Sequence, residues 1–170
     1  SVSSAASDVY KRQFLTMRAR GNSAPVDQLG AVIVAKADRT DLQVFADLQN
    51  LNVATSSHAS WSAWQILQYE MTLAGADPDQ FFGMITETGP NQQDTVFEVL
   101  SGAVDAGVVE TGVLEFMMEQ GRIDHRDFKV IPFGVPADYD FMVSTDLYSQ
   151  WVLVASAGTN QDHVRWIAES

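Results

Sequence analysis

Residues 51–73 read LNVATSSHASWSAWQILQYEMTL. Leu51 through Thr55 is a short apolar run ending on a β-branched residue, the composition of a buried strand. The next seven residues, SSHASWS, are mostly small and polar and predict a loop. A helical stretch then runs through Trp64, Leu67, Tyr69, Met71 and Leu73. Gly75 supplies a C-cap and Pro78 cannot continue a helix, so the helix is expected to stop there. The segment is a strand, a loop and a helix in succession.

The same alternation runs outward in both directions. Residues 30–36 (GAVIVAK) form an apolar run, β-branched at its centre and bounded by Gly30 and the charged ADRTD of 37–41, which predicts a buried strand. Apolar residues at 42, 44, 45 and 48, with Asp41 in the N-cap position, predict a short helix over 42–48. Downstream, 81–87 reads as a strand, 92–101 as a helix closing on Gly102, 103–110 as a strand and 114–120 as a helix ending on Gly121. Strands follow over 128–133 and 141–143. This order argues for an α/β fold with mostly parallel strands.

The chain has 170 residues, 46% of them hydrophobic, enough for one ordinary domain with a core and too few for two large ones. Ten basic against 22 acidic residues give a net charge of −12, which disfavours nucleic acid and anionic membranes as partners. That surface charge does not exclude an anionic ligand, because backbone N–H groups at a helix N-terminus can hold one inside a pocket. The absence of cysteine excludes disulfides, thiolate metal sites and redox pairs. Residues 1–13 (SVSSAASDVYKRQ) show no hydrophobic period, and the part from Ser7 on resembles a translated sequencing adapter. Native sequence is therefore expected to begin near Phe14.

Thr55, Ser56, Ser57, Ser60 and Ser62 lie where a strand hands over to a helix, so hydroxyls and free N–H groups converge at a positive helix end. That arrangement suits phosphate, sulfate or carboxylate, and simple N-capping uses the same residues. His58 has no G-x-S-x-G elbow nearby to make a serine nucleophile, and reads as a loop residue or pocket donor. His125 and His163 lack the spacing of a metal site. Asp105 and Glu110 bracket an apolar strand. Glu110, at its carboxyl end, is either a pocket acid or part of a solvated turn, whereas Glu115 reads as a helix-surface residue. Trp61, Trp64 and Tyr69 suit a pocket wall or ordinary helix packing. Neither G-x-G-x-x-G nor G-x-x-x-x-G-K-[ST] occurs. No catalytic residue, metal or cofactor is expected.

The series GAVIVAKADRTDLQVFADLQNLNVATSSHASWSAWQ, LAGADPDQFF, ETGPNQQDTVFEVLSGAVDAGVVETGVLE and RIDHRDFKVI resembles the phosphonate-binding-like family of periplasmic solute-binding proteins, which have the type II periplasmic binding fold. The tail FMVSTDLYSQW (141–151) is similar to a segment of the extracytoplasmic sensor domains of histidine kinases. The resemblance implies an α/β fold of two lobes, with ligand in the cleft and lobe closure as the signal. It implies that 14–48 is a remnant of the first lobe and its hinge strand, with 32–35 in the first lobe. Residues 49–112 would form the second lobe, and 113–170 a return segment with a C-terminal helix. The chain would then be truncated, with part of the first lobe missing ahead of Phe14.

By the same resemblance, Ser57, Ser60, Trp61 and Ser62 hold an anionic group, and Thr88 and Gly89 belong to a second cleft loop. That loop departs from the Ser-His that often follows the glycine in relatives. Glu110 stands where related sensors often carry a basic residue, so the ligand is an oxyanion or a zwitterion. The expected role is a periplasmic sensor domain of a two-component histidine kinase, tethered to the inner membrane by a segment outside this sequence. The alternative is the solute-binding component of a phosphonate- or phosphate-type ABC transporter; a cytosolic transcription regulator's effector domain is a third reading. The expected partner is a small-molecule ligand, not nucleic acid.

Overall fold

The computed structural model describes residues 12–16, 19–20, 25–134, 139–150, 152–155 and 158–168. The leader expected over 1–13 lies outside the described residues except for Arg12 and Gln13, and Trp151 of the tail lies outside them too. In chain order the strands are β1 (Arg12–Thr16), β2 (Ala19–Arg20), β3 (Pro25–Val26), β4 (Gln28–Leu29), β5 (Ala31–Lys36), β6 (Asn52–Thr55), β7 (Met84–Glu87), β8 (Ala106–Glu110), β9 (Phe128–Val130), β10 (Tyr148–Ser149) and β11 (Val152–Ala155). The α-helices are α1 (Ile66–Leu73), α2 (Pro78–Phe81), α3 (Gln92–Ser101), α4 (Val113–Glu119) and α5 (Gln161–Ala168). A 3₁₀ turn covers Phe45–Leu48, and a π-helical turn over Trp61–Gln65 leads directly into α1.

Five strands form the main sheet in the order β7-β6-β8-β5-β9. β6 runs parallel to β7 and β8, whereas β5 runs antiparallel to both β8 and β9. The sheet is mixed, in contrast to the mostly parallel one expected. A strand buried on both faces carries the same apolar pattern in either direction, so composition could not distinguish the two. β5 places residues 32–35 inside this sheet between β8 and β9, where their apolar side chains are covered on both faces. Ala31, Ile33 and Ala35 enter one core and Val32 and Val34 the other. β9, expected in a return segment, is the edge strand of the same sheet.

The first core lies under the π turn and α1, where Trp64, Leu67 and Met71 are fully buried. The second lies under α3 and α4, through Val96, Val99, Leu114 and Met117. Gly107 lets α3 sit directly on β8, since a Cβ there would come within 2.8 Å of Val99 Cγ2 and 2.9 Å of Thr95 Cγ2. Residues 141–143 form no strand; the chain bends there instead. It then runs beside the first half of β5, where the Ser144 hydroxyl accepts from the Ile33 N–H (2.8 Å) and the Thr145 hydroxyl from the Ala31 N–H (3.0 Å). These side chains satisfy edge N–H groups that β9 is too short to reach.

Two smaller local differences have clear causes. The helix expected over 42–48 is only the 3₁₀ turn. Asp41 does not cap it, because its carboxylate is taken by Arg39 (2.9 Å), while Asp47 accepts from the Gln43 and Val44 N–H groups (2.7 and 2.9 Å). α2 takes Phe81, the first residue of the stretch read as strand over 81–87, and β7 begins only at Met84: Asp77 accepts from the Asp79 N–H (3.1 Å) and Pro78 occupies the first helical position.

Candidate functional site

Because β6, β7 and β8 are parallel, the loops that follow them emerge at one edge of the sheet. In open α/β sheets this edge is where ligands bind. The loops are residues 56–60, 88–91 and 111–112. The register Ala31↔Glu110 brings the start of β5 to the same edge, where the Thr111 N–H donates to Gly30 O (3.1 Å). All seven candidate residues, Ser57, Ser60, Trp61, Ser62, Thr88, Gly89 and Glu110, fall on these loops or the strand and helix ends beside them.

The first loop is organised by its own backbone. Ser57 Oγ accepts from the Ala59 N–H (3.1 Å), and the Ser60 N–H donates to Ser57 O (3.0 Å). Gln65 N–H then reaches Ser60 O at 3.0 Å, an i→i+5 bond. A turn of this width leaves the N–H groups of residues 61–64 without a helical acceptor at the positive end of a 13-residue helical segment. The Ser60 side chain makes no capping bond, so the N-capping use of that hydroxyl is not the one adopted. Ser62 is buried, Trp61 is 40% exposed, and Trp64 is wholly within the core. Thr55 Oγ1, buried at the end of β6, has no hydrogen-bond partner among the described residues.

The second loop is laced to the first. The Thr88 N–H donates to Thr55 O (2.9 Å), the Thr88 and Thr95 hydroxyls are 2.7 Å apart, and the Gly89 N–H donates to Ser56 O (3.1 Å). Gly89 has φ 97°, a conformation side chains strongly disfavour. His58 is joined to the end of β7: its N–H and its Nδ1 both meet Glu87 Oε1, at 2.6 and 2.8 Å. The His58 N–H, then the imidazole, hold the Glu87 carboxyl below its ordinary value.

Glu110 is bracketed by one side chain. Its N–H donates to Gln92 Oε1 (2.6 Å), and Gln92 Nε2 donates back to Glu110 Oε2 (3.5 Å). Residues 55–62, 88–91 and 110–112 contain no Lys or Arg. These three loops therefore present N–H groups and hydroxyls but no cationic side chain, and Glu110 is the carboxylate at the end of β8 beside them. Glu115 corrects its expectation as a plain helix-surface acid. It is half-buried; Oε1 accepts from the Met142 N–H (2.6 Å) and Oε2 is buried without a partner among the described residues.

Gln92, Thr95 and Thr111 were not singled out by the sequence. Each is an ordinary polar residue whose partner lies on another strand or loop, and no local signal marks it. His125 and His163 are exposed, and no group of His, Cys, Asp or Glu that could hold a metal occurs among the described residues.

A five-stranded sheet with β5 inserted antiparallel between β8 and β9, and with loops converging after three parallel strands, defines a lobe of the two-lobed type II periplasmic binding fold. The chain belongs to the family described as "ABC transporter, phosphonate, periplasmic substrate-binding protein", whose model matches residues 5–169. The fold is similar to that of XAC2383 from Xanthomonas citri bound to ATP, at 12% identity and a TM-score of 0.65, covering 94% of this chain and 55% of that one. It is also similar to the substrate-binding protein of an amino acid ABC transporter, at 16% identity and a TM-score of 0.52, covering 84% of this chain and 52% of that one. The chain thus spans about half the length of these structures. No curated protein matches it.

The family is an extracytoplasmic, solute-binding and non-catalytic one. Its description names a transporter component and so favours the transport alternative over the sensor-kinase expectation. No helix among the described residues is long and apolar enough to cross a membrane.

Proposed function

We propose that this chain supplies one wall of the ligand cleft in a periplasmic solute-binding protein that serves an ABC transporter and captures a small phosphonate-like anion or zwitterion. The carrying observation is the convergence of loops 56–60, 88–91 and 111–112 at one sheet edge, where the N–H groups of residues 61–64 start the helical segment with no helical acceptor among the described residues. Family membership supports transport as the context. Backbone N–H groups and hydroxyls bind an oxyanion without a cationic side chain. Glu110, oriented by Gln92, gives a substituent amine an acceptor, which favours zwitterions over bare dianions.

The test is a thermal-shift screen of the full protein with methylphosphonate, 2-aminoethylphosphonate, phosphate, sulfate and amino acids, since a ligand that binds only the folded state raises its apparent stability. A shift confined to phosphonates, larger for the amino compound, is expected. Shifts confined to amino acids would replace the phosphonate reading, and no shift from a folded protein with any probe would remove it.

A further inference from the structure

A recess of about 450 Å³ opens beside the helix start and is lined by Trp61, Gln65, Ile66, Tyr69 and Tyr148. Its size falls within the range of small-molecule sites, as does its mainly aromatic and aliphatic lining with one amide. Trp61, Gln65 and Tyr69 are four residues apart and so share one face of the helical segment. Trp61 belongs both to this recess and to the turn whose N–H groups have no helical acceptor among the described residues, so the two adjoin through that residue.

The far wall is fixed in place. Tyr148 comes from β10, which pairs with β4 outside the main sheet, and its hydroxyl donates to the buried Glu70 carboxylate. Its ring meets that of Tyr69 edge-on, with centroids 5.9 Å apart and planes at 83°. Tyr69 is nevertheless 53% exposed and Trp61 40% exposed. Both rings thus line the recess while remaining partly open, and Tyr69 rests against the Tyr148 ring, which is anchored through hydrogen bonding.

We infer that this recess is a subsite for a planar ring carried by the solute whose anionic group sits on the N–H groups of residues 61–64. The inference rests on the proposed anion-binding role of that turn and adds the ligand's organic substituent to it. The ring would pack against Trp61 or Tyr69 in offset or edge-to-face contact, and Gln65 would hydrogen-bond a polar atom on its rim.

The experiment is calorimetric titration of the full protein and its Tyr69→Ala and Tyr69→Phe variants with methylphosphonate and phenylphosphonate. Phenylphosphonate is expected to bind the wild type about tenfold more tightly than methylphosphonate, the scale of one aromatic contact plus ring burial. Tyr69→Ala should shrink that advantage to about twofold and leave methylphosphonate unchanged, while Tyr69→Phe keeps it, because the ring provides the contact. Tyr69 is exposed, so a melting curve suffices to show that the variants remain folded. Methylphosphonate binding with no phenyl advantage, or an advantage that survives Tyr69→Ala, would overturn the subsite alone. No binding of either probe would remove the phosphonate reading and the subsite together.

Discussion

His58 and Glu87 are joined twice through a single oxygen: the His58 backbone N–H and its ring Nδ1 both lie within hydrogen-bond distance of Glu87 Oε1, at 2.6 and 2.8 Å. The pair ties the loop after β6 to the end of β7. Its carboxyl is held below its ordinary 4.5, first by the His58 N–H and then by the imidazole. A carboxyl with a depressed folded value stabilises the folded state above its unfolded value, and that contribution is lost as pH falls through the folded one. Hydrogen-exchange protection of the His58 amide, corrected for intrinsic rate, should thus hold from neutral pH down to about 4.5 and decline below it. In Glu87→Gln the decline should disappear. A decline of the same size in the variant would show that another group controls the loop.

Ser60→Ala and Trp61→Ala should each weaken binding of the solute found by thermal shift. The Ser60 hydroxyl makes no cap bond, so Ser60→Ala should leave the melting temperature without ligand nearly unchanged. Trp61, 40% exposed, gives up the burial of the rest of its ring, and Trp61→Ala should melt lower while still folding. Loss of one hydrogen bond predicts a fall in affinity of about threefold to tenfold for Ser60→Ala. Calorimetry checks it, and unchanged affinity in both variants would remove the site assignment.

Gly107→Ala tests the packing of α3 on β8. The added methyl would stand 2.8 Å from Val99 Cγ2 and 2.9 Å from Thr95 Cγ2, so the helix must move. Overpacking of this kind costs about 1–3 kcal/mol. Urea unfolding should show a lower midpoint with an unchanged slope.

Asp105 joins the starts of β6 and β8 at the sheet end away from the loops. Its Oδ2 accepts from the Asn52 N–H (2.9 Å), its Oδ1 pairs with Arg39 (2.6 Å), and its own N–H donates to Asn52 O (2.9 Å). Asp105→Ala leaves the Asn52 N–H without its acceptor, at a cost of about 1–2 kcal/mol. Asp105→Asn retains an acceptor and should cost less. Equal losses in urea unfolding would point to the Arg39 pair as the main contribution.

The strand, loop and helix over 51–73 were legible because each is decided locally: β-branched apolar residues, small polar residues, then an apolar period closed by Gly75 and Pro78. α3 was legible to the residue, since Asn91 caps it and Gly102, at φ 81°, ends it. The 3₁₀ turn at Phe45–Leu48 was misread because Asp41 is drawn to Arg39, a contact outside the helical pattern.

What the sequence by itself determined was the alternation of strands and helices, the charge that disfavours nucleic acid, and the Ser-rich turn ahead of Trp61. These follow from composition and short-range spacing. Only the tertiary structure decided that β5 lies antiparallel inside the sheet, that Gln92 brackets Glu110 and that Tyr148 closes a recess against Tyr69. Each depends on partners far apart in the chain. Strand direction, side-chain pairing and cavity shape are set by which surfaces meet on folding, and apolar patterning reports only that a surface must be covered.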